Sequence, residues 1–454
     1  MTQKTVIQSE RSPPQADGVE DCSQLASQSI LRLRPDLGRS GLPARYAVWR
    51  ALRMNRVFVL LREHLFRRKS LLENRTHPMR ICLVAELYPP NLGGVEFALS
   101  KIVEGLVAEG IEVTVITSRF DRRLPRREQK PGYTIIRVPV FPFLKRFWFL
   151  LFSLPIVFHH ARRCDLIQGS TFAGAVPASL VGLLLRKKRV LLVHEIMAKQ
   201  WFKHEPNPLK STFYWLTERI IVRLPFHRYV AVSNYTKSTL ISDGVRADKI
   251  DVIYHGDSRL ENATLTEAAA RAQLGFLPSQ YLYLTFGRAG VSKGIEYLVE
   301  AIPEIVRQIP SARFLLILSK YDRRVWEKIV RGLSQMPDEL YRLFPPVPRE
   351  ILASYVSAAN CVVIPSLSEG FGFSALEACN AGKVVVATDA GSLPEVVHGR
   401  YVFVQPGSSK ALVEGCLRAY EGKVDNREPR GFNWTAAIAK YKELYGQLLE
   451  TQEK

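Results

Sequence analysis

The stretch CVVIPSLSEGFGFSALEACNA, residues 361 to 381, reads as a strand, a loop and a helix in that order. Its first six residues form a short apolar, mostly β-branched run, which predicts a strand buried on both faces. Residues 374 to 381 fit a helix. The intervening EGFGF loop therefore brings backbone N–H groups to a helix start, and its glycines let an anion approach them closely. Glu369 and Glu377 stand eight positions apart around this loop. One reading is an ordinary helix start with Glu377 on a solvated face. The other is a pair of carboxylates that accept from sugar hydroxyls in a cleft. Glu377, one turn into the helix, is too far from the first amides to cap them and can take two ribose hydroxyls. Glu369, ahead of the helix, is placed for a hydroxyl of a second sugar.

The same grammar extends in both directions. RICLVAELY (80 to 88) precedes a helical pattern in which Val95, Ala98, Leu99, Ile102, Val103, Leu106 and Val107 share a face, closed by Gly110. Strand-like runs follow at 112–117, 133–139, 165–170, 189–195, 229–233 and 249–256. A polar, alanine-rich stretch (258–280) interrupts, and runs at 281–288, 313–320, 361–366, 383–389 and 401–407 build a second unit. Buried strands alternating with helices predict α/β architecture: two tandem, doubly wound, Rossmann-like domains facing a cleft. Ligands of such sheets bind beyond the carboxyl ends of the strands. FGRAGVSKG (286 to 294) is such a place, offering Arg288 as a fork and Lys293 as a point charge to a diphosphate. A turn with solvated charges is the alternative.

These residues resemble the donor-site signature of retaining glycosyltransferases of GT-B fold, family 4 (group 1). Arg288, Lys293 and the Glu369/Glu377 pair carry the resemblance. PPNLGGVE (89 to 96), VSNYTKS (232 to 238), KIDVIYHG (249 to 256) and GSLPEVV (391 to 397) support it, as does FNWTAAIAKYKELYGQLL (432 to 449), which is similar to a terminal helix crossing back to the first domain. The similarity runs from about residue 79 to the C-terminus and divides the chain into 79–257 (acceptor side), 258–431 (nucleotide-sugar side) and 432–454 (crossing helix). It implies that Gly93 and Gly94 form a loop near the donor phosphate and that His194 faces the donor sugar. It also implies that Arg288 and Lys293 neutralise the leaving diphosphate, Glu369 holds the transferred sugar and Glu377 the ribose. Phe371, Gly372 and Phe373 would offer main-chain contacts. A histidine after an apolar strand is otherwise a structural hydrogen-bonder. The chain departs from the family in reading HGDS (255 to 258), leading into the interdomain linker, where the family often has Asn-Gly-Val-Asp. Retention of configuration is likewise implied by the resemblance, with front-face attack the default.

No Asp-x-Asp pair occurs, so no divalent metal and no other cofactor is expected; Arg288, Lys293 and the helix dipole would supply the positive field. Six scattered cysteines without a CxxC speak against a zinc site or a disulfide framework and for a reducing compartment. The first thirty residues are polar, not a signal peptide, and no run approaches the length of a membrane span. The net charge of +20 favours an anionic partner. Residues 1–78 read as a disordered and basic amphipathic extension; 31–75 hold twelve Lys or Arg against three acidic residues. Within it, 45–69 suits either a helix packed on the body or one lying on an anionic membrane. Residues 141–163, rich in aromatics with basic flanks, suit either a buried helix or a membrane-touching surface with Trp148 and Phe149 at headgroup level.

The expectation is a cytoplasmic, peripherally membrane-associated hexosyltransferase that uses a nucleotide-sugar donor and a lipid-linked or glycan acceptor. A nucleotide-sugar epimerase or hydrolase of the same fold is one alternative, separable by product analysis with donor alone. A non-catalytic membrane- or nucleic-acid-binding scaffold is the other. Nucleic acid is not expected as a partner, because the basic arm lacks interleaved stacking aromatics and no helix-turn-helix or RNA-binding signature appears.

Overall fold

Ile81 and Leu83 of the first strand enter one hydrophobic core while Cys82 and Val84 enter another, so a single apolar run feeds both faces of a sheet. In the second half, Val384 and Val386 divide from Val385 and Ala387 in the same way. A computed structural model describes residues 77–260 and 263–450. The disordered and basic amphipathic extension expected over 1–78 therefore lies outside the described residues except for its last two positions.

The first sheet holds, in spatial order, β3 (Arg127–Lys130), β4 (Tyr133–Pro139), β2 (Glu112–Arg119), β1 (Arg80–Val84), β5 (Leu166–Ser170), β6 (Lys188–Val193), β7 (Arg228–Ala231) and β8 (Ile250–Val252). The second holds β11 (Tyr341–Phe344), β10 (Ala312–Lys320), β9 (Tyr281–Ala289), β12 (Cys361–Ile364), β13 (Val384–Thr388), β14 (Gly399–Val404) and β15 (Asp425–Arg427). Among the described residues, only β3 and β15 run antiparallel to their neighbours. Both sheets are doubly wound with helices on each face, the expected α/β class. The strand order reverses between β1 and β5 in the first sheet and between β9 and β12 in the second. Those two reversals are where such folds place ligands.

Three edge strands, β3, β11 and β15, go beyond the expected runs. Each lies at an outer position and none of its residues is fully buried: β3 and β15 are polar throughout, and β11 is a run of only four residues, half-buried, in which Tyr341, Leu343 and Phe344 flank Arg342. The run expected over 249–256 ends as a strand at Val252. Beyond it the chain turns into the space between the lobes, where Gly256 packs so closely on Trp434 that a Cβ would overlap the indole. The polar stretch 258–280 is not merely an interruption. It holds the helix Glu267–Leu274, capped by the Thr266 hydroxyl, whose Ala270 and Leu274 are buried under the second sheet.

The helix Trp434–Glu450 returns to the first lobe. Ala437, Ile438, Tyr441, Leu444 and Tyr445 join the core built by β1 and the helix Gly94–Ala108, and the Tyr445 hydroxyl donates to Gln168 of β5. The helix Lys145–Ala161 answers both readings of 141–163. Phe149, Ser153, Val157 and Ala161, four residues apart in turn, face the core, while Phe147 and Leu151 are exposed. Phe149 is therefore not a headgroup-level ring: it is fully buried, because it falls on the inner stripe of this helix.

Candidate functional site

The loops after β1, β6, β9 and β12 meet between the lobes. Gly370 backs onto the main chain of His194, and a Cβ there would overlap the His194 carbonyl oxygen. A Cβ on Gly94 would lie 3.1 Å from the ring of Phe373, and one on Gly93 would lie 3.3 Å from Nη1 of Arg288. A side chain at either glycine would crowd the approach of the second lobe to the first turn of the helix Gly94–Ala108, and at Gly93 it would first meet Oε2 of Glu96.

That helix has no side-chain cap, and neither does the helix Phe373–Asn380, which begins at left-handed Gly372. Two helix N-termini with orphan amides thus face the interlobe space, each a partial positive charge. Arg288, at the end of β9, packs its guanidinium 5.1 Å from the centre of the Tyr321 ring and has Nη1 4.0 Å from Oε1 of Glu96. Lys293 follows in the short turn Val291–Lys293 and donates to Glu369 Oε1 at 2.5 Å. The same oxygen accepts from the Ser366 hydroxyl at 2.9 Å. Thr285, Gly287, Lys293, Ser366, Glu369 and Ser374 line a small cavity at the strand reversal of the second sheet.

His194 directly follows β6. Its Nε2 lies 3.2 Å from the Ser170 hydroxyl, and its backbone N–H donates to the Thr171 hydroxyl at 3.3 Å. Burial, helped by the Arg288 cation, lowers its pKa to about 3, so the ring is neutral at any physiological pH. Neutral imidazole can accept or donate a hydrogen bond but carries no charge to the site.

Glu195, which sequence reasoning passed over, stands beside it. Burial raises its carboxyl from 4.5 to about 7, with Lys293 pulling it down and Glu369 pushing it up. Its Oε1 is buried without a hydrogen-bond partner among the described residues. Glu96 is a second missed carboxylate. It is almost wholly buried, accepts from Asn91 Nδ2 at 2.6 Å, and leaves Oε2 unpartnered among the described residues. Neither glutamate belongs to a recognisable spacing. PPNLGGVE and LLVHE contain them, but only the fold sets them against Arg288 and Lys293.

Glu377 is buried, which raises its pKa. Its Oε1 accepts from Ser258 at 2.7 Å and from Arg349 at 2.9 Å. Oε2 carries no hydrogen bond among the described residues, so half of the carboxylate is still able to accept. Arg349 also lies 4.8 Å from the centre of the Phe97 ring, so one guanidinium joins the linker, the second lobe and the first. Arg349 and Ser258 were missed as well, being 28 and 119 positions from Glu377. Phe371 and Phe373 turn their rings into an interlobe aromatic cluster with His255, Trp434 and Phe97. His255, the first residue of HGDS, stacks on Phe373 with centroids 5.3 Å apart and lies 5.7 Å from His194. The departure from the family pattern thus falls at the pivot between the lobes. Among the described residues, no group of three or more His, Cys, Asp or Glu could hold a metal ion.

Residues 92–256 match Glycosyltransferase Family 4, and residues 280–422 match Glycosyl transferases group 1. An uncharacterized glycosyltransferase of Methanocaldococcus jannaschii is 27% identical over 75% of this chain and 88% of its own length. One subunit of the phosphatidylinositol N-acetylglucosaminyltransferase of Arabidopsis thaliana is 22% identical over 83% of each chain. Among solved structures, Anabaena Alr3699/HepE in complex with UDP-glucose superposes with a TM-score of 0.62 at 19% identity, covering 82% of this chain and 99% of that one.

Proposed function

The chain belongs to the group 1 glycosyltransferases of GT-B fold, and from that premise we propose that it is a retaining, metal-independent hexosyltransferase acting on a lipid-linked or membrane-associated glycan acceptor. The observation that carries the reading is the placement of Arg288 and Lys293 beside two uncapped helix N-termini at the strand reversal of the second sheet. A nucleotide-sugar diphosphate bound there would exchange the Lys293–Glu369 ion pair for a Lys293–phosphate contact. Glu369 would then be free to accept from hydroxyls of the transferred sugar. Oε2 of Glu377 would hold the ribose.

As the glycosidic bond to the donor breaks, negative charge grows on the leaving phosphate. Arg288, Lys293 and the fixed amides stabilise it without reorganising. His194, neutral and held by Ser170, would hydrogen-bond the transferred sugar. Attack from the front face is the route consistent with retention, since the sequence places no nucleophile for a double displacement.

Support for a lipid acceptor comes from the exposed rings of Phe141, Phe143 and Phe147, from the +20 charge, and from a relative whose name includes phosphatidylinositol. No described helix is long and apolar enough to cross a membrane; the proposed association is peripheral, in a cytoplasmic setting. The test is a thermal-shift panel of nucleotide-sugars with the full chain, followed by transfer assays onto membrane extracts. Stabilisation by one nucleotide-sugar with label moving into the lipid fraction is the expected result. Donor consumption without transfer to any acceptor would favour the hydrolase reading. The 1–78 extension is proposed as an electrostatic tether: its removal should weaken partition onto anionic vesicles and leave donor binding unchanged.

A further inference from the structure

The helix Pro208–Val222 is amphipathic the wrong way round for a helix facing water. Leu209, Phe213, Leu216 and Ile220 are 81%, 64%, 48% and 54% exposed. Their spacing of four, three and four places them within an arc of roughly 60° along about 16 Å of helix. The opposite, buried face includes two polar residues, Ser211 and Glu218. Asn207 caps the helix by accepting from the N–H groups of Leu209 and Lys210, so the stripe is rigidly presented. Phe202, in the short helix just before it, is also exposed. A contiguous apolar stripe on a capped helix marks a surface meant to be covered.

Charge says by what. Between 199 and 223 the chain carries Lys199, Lys203, Lys210, Arg219 and Arg223. Its two acidic residues, Glu205 and Glu218, are both buried. A second copy of this chain seated on the stripe would oppose these cations with the same cations and offer no exposed carboxylate to pair with them. An anionic lipid surface supplies both what the stripe and what the cations need.

The segment is also tied to the donor site. Glu218 accepts from the N–H groups of Ala198 at 2.8 Å and Met197 at 3.4 Å, holding the turn that leaves His194 and Glu195. Glu205 pairs with Arg324 of the second lobe at 3.2 Å. We infer that the helix Pro208–Val222 lies flat in the headgroup region of an anionic bilayer, seating the His194–Glu195 loop next to a lipid acceptor. The inference deepens the membrane-acceptor reading and rests on it.

The experiment uses the full chain and vesicles of phosphatidylcholine with and without phosphatidylglycerol. The wild type should co-sediment with the phosphatidylglycerol vesicles. Leu209→Ser/Phe213→Ser, both exposed, should bind them roughly tenfold more weakly while donor binding is unchanged. Phe213→Trp should bind and show extra quenching by bromine-labelled lipid over the wild-type background. If the double variant binds vesicles like the wild type, or the new tryptophan is not quenched, this helix is not the docking surface although the membrane reading stands. If the wild type itself ignores anionic vesicles, the membrane reading falls and takes this inference with it. Loss of self-association in the double variant, with vesicle binding intact, would identify a second copy as the occupant and overturn the proposal.

Discussion

Gly370 of the second lobe and the carbonyl oxygen of His194 in the first lobe pack with no room for a side chain between them. The backbone of Gly370 is not in the left-handed region, so alanine would be tolerated locally. The obstruction would lie across the cleft. Gly370→Ala should therefore fold normally but hold the lobes apart, misplacing His194 against the donor sugar. A displacement of this kind is worth about a hundredfold in turnover. Steady-state kinetics beside a melting curve would check it; wild-type turnover would show that transfer does not need this approach.

Glu377→Ala should weaken donor binding by about 1–3 kcal/mol, since ribose hydroxyls would lose a buried acceptor. Arg349 would lose its carboxylate partner at the same time. Arg349→Lys separates the two effects, because it keeps a cation while losing the fork geometry. Calorimetric titration of both variants is the measurement. Full donor affinity in folded Glu377→Ala would remove the ribose assignment.

Transfer activity should persist in EDTA. Arg288 and Lys293 are fixed cations beside uncapped helix amides, which is the charge a divalent ion would otherwise contribute. Abolition by chelation with recovery in Mg²⁺ or Mn²⁺ would show that the charge argument is wrong.

The contribution of Glu218 to stability should fall as pH rises from about 4.5 to about 7, opposite in sign to that of buried His194, whose lowered pKa makes the folded state bind fewer protons below about 6.5. Burial raises Glu218 from 4.5 to about 7, and Glu195 likewise. A folded-state pKa above the unfolded value means that the folded protein holds a proton the unfolded chain has already released. At these two carboxyls the native state thus binds more protons across that window, and their contribution to stability declines with increasing pH until each is ionised in both states. Glu218→Gln cannot ionise and keeps an oxygen for the Ala198 amide at the cost of the longer Met197 contact, so its melting temperature should fall less, or rise more, with pH than that of the wild type. Parallel slopes for variant and wild type would assign the dependence elsewhere.

What could be read in the sequence follows burial. Strands sandwiched between two helical layers, such as β4 and β9, appear as apolar runs and coincide with the structure to within a residue or two. The edge strand Arg127–Lys130 is four polar residues pairing on one side only, and nothing in REQK signals it. The site divides the same way. Glycine loops and cations placed straight after strands can be found from order alone. Glu96, Glu195 and Arg349 depend on which strand ends adjoin, and that is decided by the crossing of the two sheets. Phe149 and Phe147 differ in exposure only through the phase of one helix, which two nearby aromatics cannot reveal.

The return of the helix Trp434–Glu450 has a bearing on how the protein is made. Its Tyr441, Leu444, Tyr445 and Leu448 fill the same core as Ile81, Leu99 and Val103. A chain emerging from the ribosome could form the first sheet early, but one wall of that core is synthesised only after the whole second lobe. The early lobe must wait, partly unroofed, while the later lobe is translated and folded. Completion of the first lobe is thus also the step that ties the two together, so biogenesis couples the presence of one half to the arrival of the other.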